Sequence, residues 1–359
     1  MQEETLYRII RNKGVRGMPE TATEIPFRDT FGRPMRDLRL SVTDRCNFRC
    51  VYCMPKEKFG THFSFLPPAS LLTFDEIERL VRVFVSLGIR KVRITGGEPL
   101  LRPRIEELVA RIRRVAPGVD LAMTTNGFLL AKKARALREA GLDRVTVSLD
   151  SLDPRTFRRL SGTNLLPDLI VRGIDAAREV GFEVKVNMVV IRGENDADIL
   201  PMARFFREKG VTLRFIEFMD VGTANDWNLE RVVPAREILE RISREMPLEP
   251  IHPEYFGEVA KRYRYVGSDV EIGFVTSVTQ AFCSSCTRIR LTADGKLVTC
   301  LFAETGEDVR ALLRSGASEE ELVAKIREVW ERRADHYSEI RLANTKKDRA
   351  KVEMFYVGG

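Results

Sequence analysis

Thr43-Asp44-Arg45-Cys46-Asn47-Phe48-Arg49-Cys50-Val51-Tyr52-Cys53-Met54-Pro55 directly follows a strand candidate, Leu38 to Val42, and its cysteines are separated by three and then two residues. Gaps this short let one loop direct three thiolates at a single group, and soft thiolates select iron–sulfur or zinc over hard cations. Three ligands leave one position open. A cluster devoted to electron transfer is ordinarily held by four cysteines, whereas an iron lacking a protein ligand can bind a small molecule directly. The loop therefore reads as a place for chemistry at the end of a strand, with a structural zinc knuckle completed by a distant ligand as the alternative.

Outward from this loop, short β-branched runs alternate with amphipathic helical patterns, the signature of a parallel sheet with crossover helices. Strands are expected at Leu38 to Val42, Lys91 to Thr95, Asp120 to Met123, Arg144 to Leu149, Glu183 to Val190 and Thr212 to Glu217. The first intervening helix starts at Thr73, with Glu76 three residues on as a capping box, and stops at Gly88. Later helices are expected near Arg104 to Val115, Ala131 to Ala140, Leu169 to Val180 and Ile199 to Lys209. Six such units predict an α/β fold, an incomplete (β/α)6 TIM-like barrel, whose active-site loops gather at the strand C-termini. After Glu217 the pattern breaks around Asn225, Asp226 and Trp227, and a C-terminal α+β segment follows. It has helices near Ala235 to Arg244 and Glu319 to Arg333, with hairpin-like strands between them that carry further cysteines and are placed to close the open barrel. The domains expected are an N-terminal extension at 1–30, the partial barrel at 31–222, the C-terminal domain at 223–340 and a tail at 341–359. The polar, poorly patterned ends are expected to be mobile or draped over the surface.

The 359 residues are 44% hydrophobic and 31% charged, and no run approaches the ~18 apolar residues of a membrane span. Met1-Gln2-Glu3-Glu4 does not open a secretory signal, so a cytoplasmic location is expected. The net charge of +7 is a small difference between 59 basic and 52 acidic side chains, spread without a basic block. That favours a local anionic ligand over a nucleic-acid tract.

The six cysteines form two groups, the first trio and Cys283, Cys286 and Cys300. In a reducing compartment such groups bind metal more often than they form disulfides. The second group has gaps of two and thirteen residues, and Gly295 marks a turn that folds the third thiolate back toward the first two. A zinc ribbon would need a fourth ligand, and His62, His252 and His336 do not stand at ribbon spacing. Arg288 and Arg290 alternate on a strand, so both face one way. Such a pair either suits phosphate, which guanidinium forks bind bidentately, or forms a solvated strand face.

The first cysteine spacing resembles the radical S-adenosylmethionine (SAM) superfamily. Together with the Arg288-Ile289-Arg290 run, the second trio and the terminal Gly358-Gly359, the chain resembles the GTP 3′,8-cyclase family along nearly its whole length. That resemblance implies two [4Fe-4S] clusters, one on each trio, with SAM at the first. It implies SAM contacts from Tyr52, from Gly97 and Glu98 in the Thr95-Gly96-Gly97-Glu98-Pro99 turn, and from Ser148 and Met219. It implies GTP contacts from Arg39, Arg93, Thr124, Lys185, Arg288, Ile289 and Arg290, with Arg214, Gly358 and Gly359 near the reacting atoms. Glu98 would accept from an ammonium group of SAM, and the two glycines would let backbone approach a ligand. The reaction implied is cyclisation of GTP to 3′,8-cyclo-7,8-dihydro-GTP, the first step of molybdenum-cofactor biosynthesis. A downstream cyclic pyranopterin monophosphate synthase, a reductant protein and a homodimer are the partners implied, with no nucleic acid and no membrane. A radical SAM peptide maturase and a non-catalytic iron–sulfur or zinc protein are the rival readings.

Overall fold

A computed structural model describes residues 27–341 and 351–358. Residues 1–26 of the expected N-terminal extension, residues 342–350 of the tail and Gly359 lie outside the described residues. The six expected strands form as β1 (Asp37–Ser41), β2 (Lys91–Thr95), β3 (Asp120–Thr125), β4 (Arg144–Ser148), β5 (Glu183–Val190) and β6 (Thr212–Glu217). Six more follow: β7 (Leu248–Ile251), β8 (Ala260–Tyr265), β9 (Glu271–Val275), β10 (Arg288–Leu291), β11 (Lys296–Val298) and β12 (Glu307–Asp308). All twelve belong to one mixed sheet in the order β12-β11-β10-β1-β2-β3-β4-β5-β6-β9-β8-β7.

The C-terminal segment builds no sheet of its own. It lays β10 parallel beside β1 and β9 parallel beside β6, so the backbone groups along both edges of the six-stranded sheet find partners. Eight consecutive strands thus run parallel, flanked by antiparallel β11 and β12 on one side and β8 and β7 on the other. The outermost strands β12 and β7 do not pair with each other, so the appendage widens the sheet without closing it.

Alternation along each strand sorts its side chains onto two faces. Leu38, Leu40, Val92, Ile94, Leu121, Met123, Val145 and Val147 are buried on the face that packs against the helices. Arg39, Arg93, Thr124 and Thr146 occupy the alternate positions. The register sets Arg39 beside Arg93 on one side and Arg290 on the other, a row of three guanidiniums across neighbouring parallel strands.

The helix Phe74–Ser86 begins with the expected capping box: Thr73 Oγ1 accepts from Glu76 N at 3.1 Å and Glu76 Oε2 from Thr73 N at 2.7 Å. A helix at Pro154–Ser161 was not anticipated, although Asp153 caps it through the amides of Arg155 and Thr156 and Pro154 stands in its first turn. The expectation of draped ends is overturned for the described parts. Phe355 and Val357 are buried because Met354-Phe355-Tyr356-Val357 is an apolar run that packs on Phe59 and its neighbours. At the other end Phe27, Asp29 and Arg33 are buried as well.

Candidate functional site

The first trio lies beyond the C-terminal end of β1, against the turn that follows β2. A Cβ on Gly97 would stand 2.8 Å from Asp44 O and closer still to Arg45 O, and one on Gly96 would collide with Thr43 O. Gly97 N donates to Thr43 O and Glu98 N to Arg45 O, both at 2.8 Å. The glycines therefore admit the cysteine loop itself, a close approach of protein backbone that adds to the ligand approach expected of them. Glu98 is likewise engaged by protein donors: Oε1 accepts from Leu100 N at 3.0 Å and Thr125 Oγ1 at 2.7 Å, and Oε2 from Asn126 N at 2.7 Å. Burial pushes its carboxyl up to about 7 against those bonds.

Cys46, Cys50 and Cys53 are half-buried and unpaired by disulfides. Burial, reinforced by Glu98, pushes the Cys46 thiol up to about 12; burial likewise raises Cys50, with Asp150 and then the other two cysteines adding to it, and Cys53, with Cys46 and Glu353 adding to it. Tyr52 donates from its hydroxyl to Asp150 Oδ2 at 2.8 Å, which fixes the loop against β4 and β5. Ser148 ends β4 half-buried beside Asn187 of β5 and does not line the central cavity, whereas Met219 does.

That central cavity, of about 200 Å³, is lined from all eight parallel strands. It gathers Arg39, Arg93, Thr124, Lys185, Arg214, Arg288 and Arg290, residues contributed by six strands and spanning 252 positions from first to last. Arg93 donates to Thr124 Oγ1 at 3.1 Å and to Thr146 Oγ1 at 3.0 Å, and Arg214 reaches the same Thr146 at 3.1 Å. Gly273 beside Arg214 leaves it room, since a Cβ there would stand 2.9 Å from Arg214 Cγ. The Nε atoms of Arg39, Arg93 and Arg214 are buried without a hydrogen-bond partner. Burial, followed by mutual repulsion with Arg39, lowers Arg214 to about 10 and Arg290 to about 9. Buried cations with unspent donors are costly unless an anion meets them. Asp37 supplies one carboxylate, 3.4 Å from Arg39, held below its ordinary range because the surrounding Arg39, Lys91, Arg93 and Arg288 outweigh its burial.

The second trio sits at one end of the same cavity. Cys283 and Cys286 occupy the turn before β10, and Cys300 follows β11, folded back by the hairpin at Gly295 as expected. At Cys286 the electrostatics run opposite to those of the first trio: burial raises the thiol, but Arg288 and Arg333 more than offset it and bring it down to about 6. Arg288 Nη2 lies 3.4 Å from Cys286 Sγ. Cys300, beside Asp335, is pushed up to about 11, chiefly by burial.

The tail reaches β10 and the end of β2. Arg290 Nη1 donates to Gly358 O at 2.7 Å and Val357 O at 3.2 Å. Gly358, at φ +66°, packs so closely on Thr95 that a Cβ would stand 2.8 Å from Oγ1 and nearer to Cγ2. Ile289 is the exception among the expected contacts, because its side chain points to the opposite face and is fully buried in the core. Sequence reasoning missed Arg144, Asn187, Lys91 and Arg333, all of which line the cavity. The alternation that selects Arg39 and Arg93 would have found Asn187, two residues beyond Lys185 on β5.

Among the described residues, no three His, Cys, Asp or Glu side chains converge tightly enough to hold a single metal ion. Each trio instead offers soft sulfur from one compact loop system, a donor set that fits an iron–sulfur cluster, whose ligands bind separate irons at its corners.

Residues 40–206 match the Radical SAM superfamily and residues 211–339 match Molybdenum Cofactor Synthesis C. The chain is 49% identical over 359 residues to a GTP 3′,8-cyclase of Acidothermus cellulolyticus, covering 93% of this chain and 99% of that one. It is 48% identical over 336 residues to a GTP 3′,8-cyclase of Staphylococcus aureus strain JH9, with the same coverage. Among solved structures, Streptococcus suis SuiB bound to its precursor peptide SuiA superposes with a TM-score of 0.58 at 15% identity, covering 91% of this chain and 77% of that one. SuiB bound to S-adenosylmethionine gives 0.57 at 17% identity, covering 82% and 68%. At those identities the likeness is one of fold.

Proposed function

The chain belongs to the GTP 3′,8-cyclase family of radical SAM enzymes, and from that premise we propose how its residues divide the conversion of GTP to 3′,8-cyclo-7,8-dihydro-GTP, the first step of molybdenum-cofactor biosynthesis. The eight parallel strands form a partial barrel around the cavity. Residues 31–222 hold the first cluster and SAM, 223–340 hold the second cluster and the guanine end of GTP, and 341–359 supply the tail.

Cys46, Cys50 and Cys53 hold a [4Fe-4S] cluster that, with SAM, supplies a 5′-deoxyadenosyl radical. Tyr52, Gly97, Glu98, Ser148 and Met219 shape the SAM site. Glu98 and Gly97 act mainly by ordering the cysteine loop and the Thr125-Asn126 backbone. Cys283, Cys286 and Cys300 would hold the second cluster, which would bind the guanine end of GTP. Arg39, Arg93, Lys185, Arg214, Arg288 and Arg290, with Thr124, bind the triphosphate, and Ile289 contributes only backbone. Fixing both ends of GTP orients ribose C3′ toward guanine C8, a gain of orientation rather than of acid–base chemistry. Arg214, Gly358 and Gly359 are assigned roles at the reacting atoms.

The observation that carries this reading is the row of buried, partly unpartnered guanidiniums in a cavity that ends on three sulfurs. Such a surface fits a ligand with several negative charges at one end and a soft nitrogen donor at the other. A cytoplasmic setting, a reductant protein, a homodimer and transfer of product to cyclic pyranopterin monophosphate synthase complete the proposal. The test is anaerobic turnover of the cluster-loaded chain with SAM, GTP and a low-potential reductant. A cyclised nucleotide formed alongside 5′-deoxyadenosine is expected; SAM cleavage that leaves GTP unchanged would refute the assignment.

A further inference from the structure

Behind the second trio lies a buried ionic bracket that joins the start of the described chain to residue 333. The side chains of Asp29, Arg33 and Arg333 are at most 2% exposed. Asp29 Oδ2 accepts from Arg33 Nε at 2.6 Å and from Arg333 Nη1 at 3.1 Å. Arg33 Nη1 donates to Cys283 O at 2.6 Å and to Asp335 O at 2.9 Å. Arg333 donates from Nη1 to Cys286 O at 2.8 Å, from Nε to Thr299 O at 3.1 Å, and from Nη2 to Cys286 Sγ at 3.2 Å. Asp335 Oδ2 flanks its Nε at 3.4 Å. All three cysteine-bearing segments are thus gripped by two guanidiniums that share one carboxylate, Thr299 being the residue before Cys300.

Of these contacts only one touches sulfur. A charged N–H aimed at a cluster thiolate withdraws electron density from it and stabilises the reduced, more negative cluster, and hydrogen bonds to the sulfurs are among the factors that set cluster potentials. Arg288 also approaches Cys286 Sγ, but it lies over Phe282 and belongs to the phosphate group of arginines. Arg333 is different. Its other bonds run to backbone and to Asp29, so its place beside the sulfur is fixed whether or not nucleotide is bound.

We propose that Arg333 is a positioning residue that raises the reduction potential of the second cluster through its bond to Cys286 Sγ, with Asp29 and Arg33 holding it in place. This rests on the reading that the second trio holds a cluster.

The test is a redox titration of the full, anaerobically cluster-loaded chain followed by electron paramagnetic resonance, comparing the natural chain with Arg333→Gln, Arg333→Lys and Arg33→Gln. Iron and sulfide are counted in each preparation. The signal that SAM perturbs belongs to the first cluster and serves as the internal reference. In Arg333→Gln the other signal should titrate at a lower potential with an altered line shape, and Arg333→Lys should recover part of that shift while the reference stays put. Where Arg333→Gln fails to retain iron at the second site, Arg333→Lys carries the measurement. A second cluster that titrates at the natural potential in every iron-replete variant would overturn the proposal. A natural chain with a single cluster would instead overturn the reading beneath it, and the proposal with it.

Discussion

Arg290 and Gly358 meet through a 2.7 Å hydrogen bond from Nη1 to the glycine carbonyl oxygen, across 68 positions of sequence. Arg290 is buried, and burial together with Arg39 and Arg288 disfavours its charge. The tail carbonyls offset part of that cost. Because Gly358 also packs on Thr95, at the head of the turn that supports the first cysteine loop, one glycine touches the framework of both metal sites.

Replacing Arg290 by Met should weaken GTP binding and loosen the tail together. A hydrogen bond to a charged group is worth about 1.5–3 kcal/mol, or roughly 10- to 150-fold in affinity. Anaerobic calorimetry with GTP reads the first effect and the rate of tryptic cleavage at Lys351 the second. Unchanged values in both would detach Arg290 from these roles.

Gly358→Ala forces a methyl group into Thr95. The expected result is a displaced tail, with GTP conversion reduced by about 100-fold, the scale on which small misplacements act. Iron content and uncoupled SAM cleavage should stay near those of the natural chain. Full turnover by this variant would show that the tail plays no part in orienting substrate.

The two trios should separate functionally. Cys46→Ala is expected to abolish SAM cleavage, whereas Cys300→Ala should impair nucleotide cyclisation more than uncoupled cleavage. Measuring 5′-deoxyadenosine and cyclised nucleotide side by side distinguishes the two. Normal GTP conversion by either variant contradicts the assignment of its cluster.

Burial raises the folded-state pKa of Asp150 from 3.8 to about 6 and that of Glu98 from 4.5 to about 7. A carboxyl whose pKa is raised on folding favours the fold while protonated, so its contribution is complete below the unfolded pKa and is lost as pH rises through the folded one. These two groups should cost the fold on the order of 3 kcal/mol each between about pH 4 and 7. Asp150→Asn should flatten the lower part of that slope, since the amide can still pair with the Tyr52 hydroxyl. Urea midpoints measured across the pH range test this, and identical slopes would count against it.

The local features were readable without coordinates. The capping box at Thr73 and Glu76 formed as expected because its partners are three residues apart, and strands β2, β5 and β6 fall where the alternation of residue types placed them. The helix Pro154–Ser161 went unread despite its Asp153-Pro154 start, since eight residues carry little periodicity. The packing of Gly96 and Gly97 went unread for another reason: what a glycine admits depends on which backbone arrives beside it, and here that backbone is the cysteine loop.

By itself the sequence determined the two sulfur trios and the six-strand repeat, because ligand spacing within a loop and alternation within a strand are short-range properties. The tertiary structure decided which of the chain's many arginines share one cavity, that β9 and β10 extend the sheet from both edges, and that the tail threads to Thr95 and Arg290. Those outcomes depend on strand register and on contacts between segments far apart in the chain. No local pattern encodes them, because the partners that stabilise each buried charge are assembled only when the sheet forms.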